Sequence, residues 1–188
     1  MKTTMLRSAA LIGIALVLMS FDIPKGWFKD GTAADSYEMG IEKGMGQNGA
    51  NAATIKSIDT TINGFGTLMQ SFKPDEFVGK RVRMSGYIKT KDVVQGADLW
   101  MEVDNVLSDE PASFDNMRDR TVKGTTDWTK YEIVLDVPED ADNISFGAAL
   151  YGTGQMWFDR ISFQIVDDSV LTTGPNQQSA PTNLSFEK

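Results

Sequence analysis

The chain contains no cysteine and no histidine among its 188 residues, and only 6 prolines. Without cysteine there is no disulfide framework, no thiolate nucleophile and no Cys-ligated zinc. Without histidine there is no Ser-His-Asp or Cys-His catalysis, no imidazole proton shuttle and no His-ligated transition metal. Acid–base chemistry is left to carboxylates, lysine or tyrosine. A bound metal would have to be a hard, oxygen-liganded ion such as Ca²⁺. Basic residues are also scarce: 18 Lys and Arg stand against 26 Asp and Glu, for a net charge of −8. A phosphate-backbone binder needs a basic footprint, so nucleic acid is excluded as a partner. Long apolar runs are confined to Ala9–Met19, which is shorter than the ~20 residues that cross a bilayer core.

Lys2 and Arg7 precede that run, and together they make the positive and apolar regions of a secretory signal over residues 1–20. Leu18 is large for the −3 position of a cleavage after Ser20, which leaves an uncleaved anchor as the rival reading. The expectation is an exported protein (periplasmic, cell-surface or secreted) with no membrane span after signal cleavage.

What the chain does have is 41% hydrophobic residues, 10 Phe and 4 Trp spread along its length, the composition of a globular domain. Several segments alternate with period two, as half-buried strands do. In Arg81–Lys89 the inward set is Val82, Met84, Gly86 and Ile88. In Ala97–Asp104 it is Leu99, Met101 and Val103, with Asp98, Trp100, Glu102 and Asp104 opposite. Tyr131–Val137 buries Tyr131, Ile133, Leu135 and Val137; Ile144–Tyr151 buries Ile144, Phe146, Ala148 and Leu150. Trp157–Ile165 buries Trp157, Ile161, Phe163 and Ile165. Weaker candidates lie at Ser36–Ile41, Ala52–Ser57, Gly66–Phe72 and Ser113–Asn116. Turn signals such as Asn63-Gly64 and Gly152-Thr153-Gly154 separate them. No window has a convincing helical period. The reading is an all-β, antiparallel two-sheet sandwich over residues 21–166. Residues 167–188 are polar and read as a tail, although Leu184 and Phe186 alternate so that 182–188 has the pattern of an edge strand.

In order along the chain stand Gly26-Trp27-Phe28, Tyr37-Glu38-Met39-Gly40, Asn48-Gly49-Ala50-Asn51-Ala52, Gly86-Tyr87-Ile88-Lys89-Thr90, Leu99-Trp100-Met101, Phe114-Asp115-Asn116-Met117 and Trp157-Phe158-Asp159. With these the sequence resembles the galactose-binding-like jelly-roll β-sandwiches that include many carbohydrate-binding modules. More narrowly, it is similar to small exported bacterial domains of that type. The resemblance covers about Gly26 to Val166. It implies sugars bound on a concave face or at loop tips, and often a Ca²⁺ that staples the chain ends. The acid of the last strand, here Asp159, is the implied ligand, with backbone carbonyls from a loop like Asn48–Asn51. Alternation from Trp157 points the Asp159 carboxylate inward, and Glu187 would join it if residues 182–188 dock as the missing first strand. The other reading of Asp159 is a carboxylate paired with Lys or Arg, or capping backbone N–H groups.

Sugar recognition needs a flat aromatic face for the C–H side of the ring and planar polar groups for the hydroxyls. Trp100, Glu102 and Asp104 share one strand face, and Tyr87 and Lys89 occupy the corresponding face of another strand. Asn116, Arg118 and Arg120 fall on a loop, and Tyr151 beside Gly152 faces a groove. The competing reading packs Trp100 under the 104–111 loop and leaves the charged residues as a solvated, ion-paired face. On balance the sequence points to a non-catalytic glycan-binding module whose partner is an oligo- or polysaccharide. Alternatives are a protein-interaction domain using the open sheet face and, further off, a hydrolase using two carboxylates.

Overall fold

The structure is a computed structural model that describes residues 21–106, 108 and 110–174. Nine strands follow in chain order: β1 Phe28–Asp30, β2 Tyr37–Glu42, β3 Ala52–Ser57, β4 Phe65–Phe72, β5 Lys80–Asn105, β6 Ser113–Asp115, β7 Val122–Val137, β8 Ala141–Tyr151 and β9 Gln155–Val166. All their pairings are antiparallel, and no α-helix occurs among the described residues. The fold is the all-β sandwich expected from the alternation, in the jelly-roll form that the resemblance implies.

One layer holds β2, β3, β9, the first half of β5, and β7; the other holds β1, β4, β8, the second half of β5, and β6. The 26-residue β5 therefore belongs to both. From Arg81 to Lys91 it pairs with β9, and from Gly96 to Asn105 with β8. Between Ile88 and Ala97 its register against β7 shifts three times, and Asp92 sits at φ 53°. Bulges of this kind bend a strand and sharpen its twist, which carries β5 from one layer into the other. Arg81–Lys89 and Ala97–Asp104 are thus two halves of one strand.

The core lies between the layers. Val82, Met84, Ile88, Leu99, Met101, Val103, Ile133, Leu135, Val137, Ile144, Phe146, Ala148 and Leu150 are all buried, as their alternation requires. Full burial of each large aliphatic or aromatic side chain contributes roughly 1.5–3 kcal/mol. An aromatic group fills one end: Phe146 meets Trp27, Phe72 and Phe163 at centroid distances of 5.3, 5.9 and 4.9 Å, all near edge-to-face.

Strand β9 departs from the sequence expectation. Met156 and Phe158 are the buried core residues there, whereas Ile165 is 48% exposed. Arg160 has φ 55°, and the register against β5 shifts between Ser85 and Tyr87. This bulge resets the alternation: Phe158 precedes it facing inward, and Ile161 and Phe163 resume packing on the core after it. Trp157 and Asp159 consequently lie on the outer face. Trp157 is still buried, because its indole N–H donates to Glu42 Oε2 at 2.6 Å.

Residues 167–174, which composition assigns to a tail, are anchored. Arg81 donates to the carbonyls of Asp168 and Val170 at 2.6 and 2.7 Å, and Thr173 N–H donates to Val134 O at 2.9 Å. Residues 182–188 lie outside the described residues.

The opposite layer depends on one glycine. Gly147 registers between Trp100 of β5 and Met69 of β4, and a Cβ there would stand 2.5 Å from Leu68 O and 2.9 Å from Met69 Cα. Backbone atoms cannot yield as a side-chain tip can, so Gly147→Ala must push β4 and β8 apart. The expected loss is about 2–3 kcal/mol in chemical denaturation, the upper range for overpacking.

Candidate functional site

On β5, the residues that alternate with buried Leu99, Met101 and Val103 project from the outer face: Asp98, Trp100, Glu102 and Asp104. On β8 the same face carries Ser145, Gly147, Ala149 and Tyr151, and on β4 Phe65, Thr67 and Met69. The middle of this face is built from small residues. It forms the floor of a cleft of about 520 Å³, walled by Phe65, Met69, Trp100, Glu102, Phe114 and Tyr151.

The orientation of Trp100 follows from one bond. Its Nε1–H donates to Thr67 Oγ1 at 2.9 Å, although Thr67 is two strands away with β8 between. Adjacent strands are ~4.8 Å apart, so the indole spans β8 rather than standing on its own strand. Small Gly147 and Ala149 leave room for it. Thr67 and Ala149 point outward yet are only 3% and 2% exposed, as residues beneath a ring should be. Trp100 itself is half-buried, and its upper side faces the cleft.

Glu102 is held at one wall. Burial pushes its carboxyl above the usual range, and the charge of Asp104 and a hydrogen bond with it push in the same direction. Asp104 in turn accepts from Asn143 Nδ2 at 2.9 Å, which also reaches Ser145 Oγ at 3.0 Å. The chain of contacts fixes the Glu102 side chain; Asp104 stands behind it rather than in the cleft.

The Asn116–Arg120 loop is fixed by its own residues. Met117 adopts φ 54° and is fully buried, plugging the core. Buried Asp115 accepts from Met117 N–H at 2.8 Å and from Arg120 Nη2 at 2.6 Å, and Thr173 Oγ1 donates to it as well. With Met117 pinned inward, its neighbour Asn116 is presented at the cleft and Arg118 at an adjoining recess. Arg120 is spent on Asp115 and on Asp119 at 2.8 Å, so it is a structural ion pair and not a ligand contact.

Tyr151 closes the far wall, its ring 5.2 Å from that of Phe65, with its hydroxyl held above the usual range by burial and by Asp98. Trp100, Glu102, Asn116 and Tyr151 thus come together in the cleft from three elements, with Arg118 in an adjoining recess that Asn116 and Tyr151 also line. Tyr87 and Lys89 do not join them. They sit on the half of β5 that belongs to the other layer, where Tyr87 registers with Asp159 and Lys130, and Lys89 pairs with Asp127 at 3.6 Å. The correction comes from the bulges between Ile88 and Ala97, which carry β5 from one layer to the other, so the outer face bearing Tyr87 and Lys89 is not the outer face bearing Trp100.

Asp159 is also relocated by a bulge. Its oxygens accept N–H groups, from Arg160 at 2.7 Å and Gln47 at 3.3 Å, and Arg160 Nε lies 4.0 Å away. The Gln47–Gly49 loop does reach this acid, as the calcium reading asked, but it presents a donor instead of a carbonyl. Among the described residues no three acidic side chains gather to hold an ion. Asp159 thus caps backbone N–H groups, the other reading of this residue, while Glu187, the second acid of the calcium reading, lies outside the described residues.

Four contributors were not singled out as site residues in the sequence. Phe114 was legible only in a short strand and a resemblance motif. Asp30 enters at the end of β1, whose three residues are too few to show a period, and Thr32 from the turn after it. Asp98 was placed on the correct face, but its burial, 4% exposed, carried no sequence signal.

No family model matches the chain. It is 44% identical over 169 residues to an uncharacterized HTH-type transcriptional regulator, YbfP, of Bacillus subtilis (strain 168); the match covers 87% of this chain and 57% of that protein. The chain thus spans less than two thirds of the relative's length. Among solved structures, a xylan-binding domain from CBM 22 superposes with TM-score 0.53 at 14% identity, covering 75% of this chain and 87% of that one. A Stig cyclase from Fischerella superposes equally well, with TM-score 0.53 at 15% identity over 78% of this chain and 87% of that one. The fold is that of the carbohydrate-binding-module-like jelly rolls, and the same fold carries other chemistry in the cyclase.

Proposed function

We propose that the domain is a non-catalytic carbohydrate-binding module whose ligand lies along the cleft between Trp100 and Tyr151. The observation that carries this reading is the indole held flat over β8 with one side free. A sugar ring stacks its C–H side on such a surface while Glu102 and Asn116 take its hydroxyls. Rigid strands supply the platform, so little side-chain freedom is lost on binding. The exposed large apolar side chains among the described residues, such as Ile23, Ile58, Val94 and Leu171, sit on separate elements. That supports a glycan over a protein partner on the sheet face, which would need a contiguous apolar patch.

Catalysis has less support. Burial raises the Glu102 carboxyl, and its close partner Asp104 is a neighbour on the same strand; Asp30, the other acid lining the cleft, is exposed at the end of β1 and lacks the buried setting a general acid needs. Export remains part of the proposal on the strength of Lys2, Arg7 and Ala9–Met19, which lie outside the described residues.

The test is titration calorimetry of the folded domain against a panel of neutral oligosaccharides, including xylohexaose. Micromolar to millimolar binding that is independent of added metal is expected with at least one. No heat with any member, in a protein with an intact melting transition, would defeat the reading. The identity to a transcriptional regulator favours a second reading, in which the same cleft senses a soluble saccharide. A tethering module is retained on insoluble polysaccharide; a sensor binds short oligomers as tightly as the polymer.

A further inference from the structure

The cleft continues past Asn116 and Tyr151, which line both it and a second recess of about 380 Å³. Gln95, Asp98, Arg118, Thr121 and Lys123 complete that recess. Its charge is unusual for this protein. Among the described residues the arginines are Arg81, Arg83, Arg118, Arg120 and Arg160, and four of them have a carboxylate within 4.0 Å: Asp136, Glu132, Asp115 and Asp159 respectively. Arg118 has none, and its guanidinium makes no hydrogen bond among the described residues, although Asp119 is its neighbour in sequence and acids outnumber bases 26 to 18. It stands near enough to the Tyr151 hydroxyl to oppose, in part, the rise that burial and Asp98 impose on it. Lys123, likewise exposed and without an ion pair among the described residues, adds a second positive charge on the same rim. Asp98 makes the opposite contribution from the base of the recess.

We propose that this recess is a subsite for an acidic sugar, a uronic acid carried on the saccharide bound in the main cleft. The Arg118 fork takes the uronate carboxylate at the rim, with Lys123 adding charge, and the negative base of the recess turns that carboxylate outward. Planar two-point recognition of carboxylate is what arginine provides and lysine does not. This deepens the reading above and rests on it, because the neutral part of the ligand is held by the Trp100 cleft.

The experiment compares xylohexaose with the same backbone carrying one glucuronate branch, each titrated into the folded chain at low and high salt. The expected result is about a tenfold preference for the branched probe at low salt, shrinking as salt screens the exposed pair. Arg118→Ala should bring the ratio of the two affinities close to one, and Arg118→Lys, which keeps charge without the fork, should leave an intermediate ratio. Equal affinities in the parent chain, or a preference surviving in R118A, overturn the subsite while neutral binding leaves the main cleft standing. Failure of both probes to bind overturns the two together.

Discussion

Replacing Trp100 with alanine is expected to weaken saccharide binding by ~30-fold or more, the loss of an interface anchor worth about 2 kcal/mol. The indole is the largest flat surface in the cleft, and no neighbouring ring can take its place. Phe114 and Tyr151 belong to the walls, whereas the floor beneath the ring is Thr67 and Ala149. Its removal also frees the Thr67 hydroxyl, which still donates to Ala148 O at 2.8 Å and becomes open to water on its other side. The stability cost should therefore be about 1–2 kcal/mol, one side-chain hydrogen bond and half a ring of burial. Trp100→Phe separates the two contributions. It keeps an aromatic face but loses the N–H that lays the ring across β8, so its affinity should fall between the other two. Calorimetry against xylohexaose, alongside melting curves, makes the measurement. Affinity unchanged in a folded W100A would remove the indole from the site.

The second large effect belongs to Asp98 and concerns stability. Burial pushes its carboxyl up to about 6; hydrogen bonds from Thr121 and Val122 and the charge of Arg120 oppose this without cancelling it, and Asp115 adds to it. Its Oδ1 is buried without a hydrogen-bond partner. In the unfolded chain the group titrates near ~3.9, so between about pH 4 and 6 the native state holds more protons than the unfolded one. The neutral carboxyl's contribution is present in full below pH ~4 and is lost as pH rises through the folded value. At pH ~7.5 the ionised group costs about 3 kcal/mol, from roughly two pH units at 1.36 kcal/mol each. Asp98→Asn carries no charge and should raise the unfolding free energy by about that amount at pH ~7.5, with the gain vanishing near pH ~4. Urea denaturation of both proteins across this range gives a difference curve from which the other carboxylates cancel. A gain that does not depend on pH would mean that packing, not ionisation, governs the site. Natural chains retain such an unfavourable group where it serves a site, and Asp98 lies under the recess beside Arg118.

Most of the fold could be read because alternation reports burial directly. Val82, Met84 and Ile88, or Ile144, Phe146 and Leu150, point inward for no reason beyond the pleat. The reading failed where the period itself changes. The core residues of this part of β5 run Ile88, Val93, Ala97, Leu99, at spacings of five, four and two. A search for strict period two cuts this into separate strands and hides that Tyr87 and Lys89, although outward-facing as expected, belong to the other layer. In β9 the same error placed Asp159 inside. Both bulges did leave a trace. Met156 and Phe158 are apolar in one phase and Ile161 and Phe163 in the other, a conflict that an extra residue resolves. The cleft was half legible. Trp100 and Glu102 announced themselves by standing opposite a core set, and Asn116 by its place in a loop. The depth of the cleft was not, because it depends on Gly147 and Ala149 being small across from Trp100, a relation between strands far apart in sequence.

The passage of β5 through both layers has a mechanical result. In a sandwich of two independent plates, sliding one over the other costs only side-chain contacts. Here any such shear would have to stretch a continuous peptide that is hydrogen-bonded to β9 at one end and to β8 at the other. The plates are seamed together along the strand that bears Trp100, so the strand that carries the indole cannot slide with one plate alone.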